Sequence, residues 1–406
     1  MNTSMSNESS PADPRPLAPG PNAQATDPAS RRLRVLVVDD SALVRKAITD
    51  CLSRDPGIEV VGSACDPYAA REKIARLDPD VLTLDLEMPR MDGLTFLRIL
   101  MEHHPLPVVV VSSLTQAGSQ AALDAMEAGA VDVLAKPDGT MSIGNLGPRL
   151  AYHVKAAAAS TRFVRRREAP ARGRELPLES GPPAVGRPAA GGGGGASTPA
   201  GPALAPVGIV DPRQLVVIGA STGGVEALRT ILPRLPGDLP PIAVVQHISA
   251  YFSRVVADRL DALCGYEVRE ATEGMPLGRG TCAIAPGDRH LAVEWDAGGY
   301  RARLLDTPPV HHCRPAVDVL FRSAARAAGP RVVAALLSGL GSDGALGMQA
   351  IRAAGGRTIA QDEATSVVFG MPRAAIEAGV AEQVLPLPGS AEGIVRLVAA
   401  QAALRS

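Results

Sequence analysis

The residue with the plainest chemical potential is Ser221, in the segment VVIGASTGG at 216–224. An apolar run leads into Gly219-Ala220-Ser221-Thr222-Gly223, the G-x-S-x-G spacing of a nucleophile elbow. Small neighbours there let the backbone turn sharply from strand to helix and expose the serine oxygen. Helix-terminal N–H groups beside it can bind a developing oxyanion. Taken alone, a glycine-rich turn after a strand also fits a dinucleotide phosphate loop. Two features weigh against that reading: the middle glycine of G-x-G-x-x-G is a serine, and the next strand ends in Gln246-His247 instead of a ribose-binding acid.

A serine nucleophile needs a base. Of the seven histidines, His103, His104 and His153 lie in the first half, and His311 and His312 sit in a loop beside Cys313. His247 alone ends a predicted parallel strand, IAVVQH, which places it on the same rim as Ser221. Asp343 follows the strand VVAALL within SGLGSDG (338–344) and reaches that rim too, whereas Asp318 falls inside a predicted helix. Geometry therefore selects Ser221, His247 and Asp343, with His290, after a Pro-Gly-Asp turn, as the second candidate base. His247 would take the Ser221 proton, Asp343 would fix the imidazole tautomer, and water would release the acyl-enzyme. Backbone N–H groups at Thr222 or in the 339–341 turn around Leu340 are candidates for the oxyanion hole, a contribution of about 3 kcal/mol.

A second constellation lies upstream. Asp39 and Asp40 end the first predicted strand, Asp85 the third, Ser112 the fourth, and Lys136 follows the fifth. In a doubly wound sheet these strand ends converge on one crevice. Three carboxylates there repel one another and call for a cation, and hard oxygen ligands suit Mg²⁺, which also accepts a phosphate oxygen. A carboxylate beside Mg²⁺ and a lysine can attack phosphorus and become an aspartyl phosphate. Asp residues also cap helices after strands, but three acids, a hydroxyl and a lysine on different strand ends exceed what capping requires.

The elements that must position these groups follow from periodicity. In the first half, strands are predicted at 33–38, 57–62, 80–85, 107–112 and 131–135. Helices alternate with them near 42–53, 67–77, 93–103 and 119–128, and a last one opens at Pro148. Five βα repeats of this size predict a flavodoxin-like, doubly wound parallel sheet. The second half is Rossmann-like α/β, with strands at 215–219, 242–246, 281–285 and 332–337. Its helices fall near 224–232, 252–263, 316–327 and 345–354, and a β-hairpin at 290–305 turns on Gly298-Gly299. The implied organisation is a disordered tail at 1–31, a first domain at 32–159, a flexible Arg/Pro/Gly-rich linker at 160–211, and a catalytic domain at 212–406.

Composition narrows the function classes. At 406 residues the chain exceeds one ordinary core. A formal net charge of −1, with no basic recognition helix, gives no reason to expect nucleic acid as partner. Five scattered cysteines without a C-x-x-C pair support neither a disulfide framework nor a zinc ribbon. With no signal segment or membrane-length apolar run, a cytoplasmic monomer without membrane insertion is expected.

Residues 32–159 resemble the receiver domains of two-component signalling, and DLEMPRMDG (85–93) is especially close. The resemblance implies that Asp85 is the phosphoacceptor, that Asp39 and Asp40 hold Mg²⁺ with it, and that Lys136 and Ser112 read the phosphate. Val133 stands where many receivers carry a switching aromatic. Residues 214–400 resemble the catalytic domain of the CheB family of chemotaxis-receptor methylesterases. The signatures are GASTGG, VVQHI, APGDRH, RPAVDVLF, SGLGSDGALG and TIAQDEATSVVFGMPRAAIEAG. That resemblance implies hydrolysis of glutamate methyl esters and deamidation of glutamines on chemoreceptor signalling helices, without a cofactor for the esterase step. It also implies a chemotaxis histidine kinase as phosphodonor. Ser338, Leu340 and Ala316 depart from the family's usual Thr, Met and Ser.

Overall fold

Apolar runs that end in polar or glycine-rich turns build two parallel sheets in the computed structural model. It describes residues 31–113, 115–136, 143–160, 203–206 and 211–403. The predicted tail and most of the predicted linker lie outside the described residues, and the described residues from Leu33 onward form one compact unit.

The first sheet has the order β2-β1-β3-β4-β5. Its strands are β1 (Leu33–Val38), β2 (Ile58–Ala64), β3 (Val81–Leu84), β4 (Val108–Ser112) and β5 (Asp132–Ala135). Helices α1 (Ala42–Leu52), α2 (Pro67–Leu77), α3 (Gly93–His103), α4 (Gln116–Glu127) and α5 (Ile143–Ala158) connect and follow them. All pairs are parallel, and both faces are covered by apolar clusters, as a parallel sheet requires. Asp66 and Asp92 cap α2 and α3 through N–H bonds from Ala69 and Thr95. The expectation that the last helix opens at Pro148 is corrected. Pro148 lies inside α5, where the missing N–H removes one ladder bond from the second turn instead of starting the helix.

The second sheet has seven strands, three more than periodicity predicts. Its order is β15-β14-β13-β6-β7-β10-β8, built from β6 (Leu215–Ala220), β7 (Ile242–Gln246), β8 (Glu267–Glu270), β10 (Thr281–Ile284), β13 (Val332–Leu336), β14 (Arg357–Gln361) and β15 (Gln383–Leu385). The unpredicted edge strands, EVRE and QVL, are short and carry polar or half-exposed side chains, so alternation is too brief to register. A separate three-stranded sheet pairs β9 (Pro276–Leu277) with the predicted hairpin, β11 (His290–Asp296) and β12 (Gly299–Leu305).

The two halves meet through α4, β5 and α5 of the first. Phe252, 1% exposed, belongs to the helix Ala250–Asp261 of the second half yet packs into the first half's core, and Leu123 of α4 packs the other way. Burying one such phenyl group contributes about 2–3 kcal/mol.

Candidate active site and phosphoacceptor pocket

Ser221 follows β6 directly, and its carbonyl accepts from Gly224 N–H at 2.7 Å and from Gln246 Nε2 at 2.8 Å. Gly223 supplies the left-handed step into the helix Gly224–Ile231, with φ of 77°. A Cβ there would lie 2.5 Å from Val367 Cβ, so a side chain is excluded sterically as well as conformationally. Ser338, the flagged departure, bridges the elbow: its hydroxyl donates to the Thr222 carbonyl at 2.8 Å and accepts Val368 N–H at 2.9 Å.

His247 follows β7 and Asp343 lies beyond β13, so three neighbouring strand ends deliver the three side chains to one rim. His247 Nε2 lies 2.8 Å from Asp343 Oδ2. The carboxylate also receives Val317 N–H on Oδ2 and Asp318 N–H on Oδ1, each at 2.8 Å. Burial opposes ionisation of Asp343, but His247 and these amides hold its carboxyl below the usual range. Burial likewise opposes protonation of His247, yet the Cys313 sulfur and Asp343 hold the imidazole above its ordinary pKa. Nε2–H on Asp343 leaves Nδ1 for the serine. Among the described residues, neither Ser221 Oγ nor His247 Nδ1 has a hydrogen-bond partner of good geometry, so the His–Asp link is made and the Ser–His link is not.

The second candidate base, His290, does not reach this rim. Its ring is fully buried, with Nε2 at the Pro308 carbonyl and Nδ1 accepting Ala316 N–H. Of the oxyanion candidates, Leu340 presents its carbonyl to Tyr152 Oη at 2.8 Å. Thr222 donates its hydroxyl to Asp132 Oδ2, also at 2.8 Å. These two bonds come from α5 and β5 of the first half, contacts separated by 188 and 90 positions that no local pattern in the sequence announces. His153 Nδ1, 2.6 Å from Asp132 Oδ2, holds that carboxylate in place. Against the opposing effect of burial, it keeps the acid's pKa below the usual range. Ser221, His247 and Gln246 share a cavity of ≈ 10 Å³ with Asp132, Val133 and Phe252, room for about one water.

In the first sheet, Asp39 and Asp85 are each 1% exposed. Carboxylate oxygens of Asp39, Asp40 and Asp85 lie within 4.8 Å of one another. Lys136 Nζ sits 2.9 Å from Asp39 Oδ2 and 2.7 Å from Asp85 Oδ2, but neither oxygen receives a hydrogen bond of good geometry. Three converging carboxylates with only one lysine among them fit a hard divalent cation. Burial raises the Asp85 pKa, with Lys136 opposing and Asp39 reinforcing the shift. Ser112 is not bonded to Asp85; its hydroxyl donates to the Gly118 carbonyl at 3.2 Å.

An acid-and-lysine pocket on one parallel sheet, joined to a strand-to-helix serine with a His–Asp pair on another, defines a response regulator with a hydrolytic output domain. Sequence comparison agrees for each half: the response regulator receiver domain matches residues 35–143, and CheB methylesterase matches 216–394. The protein-glutamate methylesterase/protein-glutamine glutaminase 5 of Anaeromyxobacter dehalogenans (strain 2CP-C) is 48% identical over 384 residues, 94% of this chain and 99% of the relative. A counterpart numbered 1 in Xanthomonas campestris pv. campestris is 46% identical over 370 residues, 90% of this chain and 98% of its own. Among solved structures, the catalytic domain of Thermotoga maritima CheB methylesterase is 39% identical, covers 45% of this chain and 98% of that one, and superposes with a TM-score of 0.45. The chain belongs to the CheB family of protein-glutamate methylesterases/protein-glutamine glutaminases. No described helix is long and apolar enough to cross a membrane.

Proposed function

We propose that the protein demethylates glutamate methyl esters, releasing methanol, and deamidates glutamines on methyl-accepting chemoreceptors in the cytoplasm. A chemotaxis histidine kinase would serve as phosphodonor. The observation that carries this reading is the buried His247–Asp343 pair at 2.8 Å on the rim that also presents Ser221. Ser221 is the nucleophile, His247 the base through Nδ1, and Asp343 the group that fixes the Nε2–H tautomer and stabilises the imidazolium. Attack on the ester carbonyl forms an acyl-enzyme and expels methanol; water then releases the glutamate carboxylate. Thr222 and the Leu340 turn would furnish backbone donors to the oxyanion. Methanol release from methylated receptor, abolished in step with serine-directed phosphonate labelling of Ser221, tests this reading; labelling at another residue overturns it.

Asp85 is the proposed phosphoacceptor. Asp39, Asp40 and Asp85 would hold Mg²⁺, which when bound neutralises the converging carboxylate and phosphoryl charge. Lys136 already bridges Asp39 and Asp85 and would meet the phosphoryl oxygens. Ser112 meets them once its hydroxyl leaves the Gly118 carbonyl. The unphosphorylated receiver holds the hydrolase closed: Tyr152 engages the Leu340 carbonyl and Asp132 the Thr222 hydroxyl, which ties the receiver to the turns beside Ser221. The proposed domain limits are 32–159 for the receiver and 212–406 for the hydrolase.

An ionic seam closes the same interface. Glu127 of α4 pairs with Arg259 at 2.7 Å and Arg229 at 3.1 Å, and Asp124 with Arg259 at 3.1 Å. Glu127→Lys breaks two of these pairs and sets like charges together, weakening docking by about 1–2 kcal/mol. Methanol release without phosphodonor should rise about 5- to 30-fold. An unchanged basal rate would count against closure by this face.

A further inference from the structure

We infer that His290 is a positioning residue of the hydrolase, which sets the Asp343 carboxylate, and through it His247, by way of the Ala316–Asp318 turn. The inference rests on the assignment of Asp343 to the active site and extends it. His290 is 0% exposed, and both ring nitrogens are engaged by the backbone. Ala316 N–H donates to Nδ1 at 3.1 Å, while Nε2 lies 3.1 Å from the Pro308 carbonyl, to which it can only donate. These partners select one tautomer, the neutral ring with its proton on Nε2. With both nitrogens occupied, the ring itself has no route to the Ser221 proton.

Its effect lies one residue further on. Ala316 is the N-cap of the helix Val317–Ala328 and has no side-chain oxygen to cap it. The three consecutive amides that open this helix are divided between two groups. Ala316 N–H points at His290, whereas Val317 and Asp318 N–H point at the two oxygens of Asp343, each at 2.8 Å. Asp343 therefore caps the helix from outside, and His290 fixes the first of the amides that aim it. Asp318 ties the other side: its Oδ1 accepts Gly344 N–H at 3.0 Å and Gly347 N–H at 2.6 Å, and its Oδ2 faces His311 Nε2 at 2.9 Å. A bond from Asp288 N–H to the Arg314 carbonyl at 3.2 Å fastens the His290 turn to the same loop. Loss of the acceptor at Nδ1 leaves the Ala316 amide buried and unpaired, a state relieved by moving the turn. The two amides that orient Asp343 move with it.

Two substitutions separate this role from general support of the fold. His290→Asn keeps an acceptor near the Nδ1 position, while His290→Gln places its amide near Nε2 and leaves Ala316 N–H unpaired. Each is assayed in the full-length protein with acetyl phosphate and Mg²⁺, as methanol release from methylated receptor per phosphonate-titrated active site. The asparagine variant should keep near wild-type kcat. The glutamine variant should lose about 10- to 100-fold in kcat with KM little changed. Its acid limb should move to lower pH, because an imidazole less well served by Asp343 returns toward its ordinary pKa. Equal kcat in the two variants, or a glutamine variant that is merely less heat-stable with an unchanged pH profile, overturns the inference. Asp343→Asn, run alongside, separates the two claims: full activity there removes the site assignment itself. Long-range ¹H–¹⁵N spectra of the wild-type protein supply a readout that needs no variant to fold; the Nε2–H tautomer at His290 is expected, and Nδ1–H contradicts the relay.

Discussion

Replacing Ser221 with alanine is expected to lower methanol release about a millionfold, to the residue left by binding and oxyanion stabilisation. The fold should survive, because the change removes one small hydroxyl that has no hydrogen-bond partner of good geometry among the described residues. His247→Ala should cost about as much, since nucleophile and base act as a unit, and Asp343→Asn about 10⁴-fold, because the amide supports the wrong tautomer. The asparagine variant should also move the acid limb of the pH profile downward. Asp343 is one of the groups that hold the His247 pKa above its ordinary value, and that help is lost with the charge. Single-turnover methanol release across pH, on equal amounts of folded protein, measures all three. A His247→Ala enzyme with near-normal activity would remove the proposed base.

The second large effect is at Asp85. Asp85→Asn should take up no phosphoryl group from acetyl phosphate and lose all activation by it. If phosphorylation shifts the docked arrangement by about 1.4–2.7 kcal/mol, the activation removed is tenfold to hundredfold. The pocket offers a route for such a shift. Lys136 is now shared between Asp39 and Asp85, and Ser112 is turned to Gly118 at the start of α4, the helix whose far end carries Glu127. A phosphoryl group that recruits both side chains acts directly on the helix that binds the hydrolase. Base-labile phosphate on intact protein, counted by mass, is the measure; incorporation that persists in the variant or without Mg²⁺ would contradict the assignment.

Much of this was legible from residue types and spacing, for a physical reason. Parallel strands buried on both faces read as unbroken apolar runs, and their C-terminal ends share a rim, so Ser221, His247 and Asp343 could be grouped without coordinates. His290 was the instructive competitor: it lies at the start of a hairpin strand, and position alone does not show that both nitrogens face the backbone. The strand β14, although internal, carries no apolar run that periodicity can register, because RTIAQ has only Ile359 and Ala360 between Thr358 and Gln361. Least legible was the docking face. Asp132 reads as a strand-initiating acid, Tyr152 and His153 as ordinary helix residues, and only tertiary structure brings them to Thr222 and Leu340. Interface contacts of high sequence separation leave no periodic trace.

The central claim is that one chain couples a phosphate-sensing receiver to a serine esterase which the receiver keeps closed. Methanol release from methylated receptor by the full-length protein, with and without acetyl phosphate and Mg²⁺, tests it most directly. A low basal rate that rises tenfold to hundredfold with the phosphodonor, and is absent from Ser221→Ala, is the predicted result. Methanol released at the same rate in both conditions, or none in either, would contradict it.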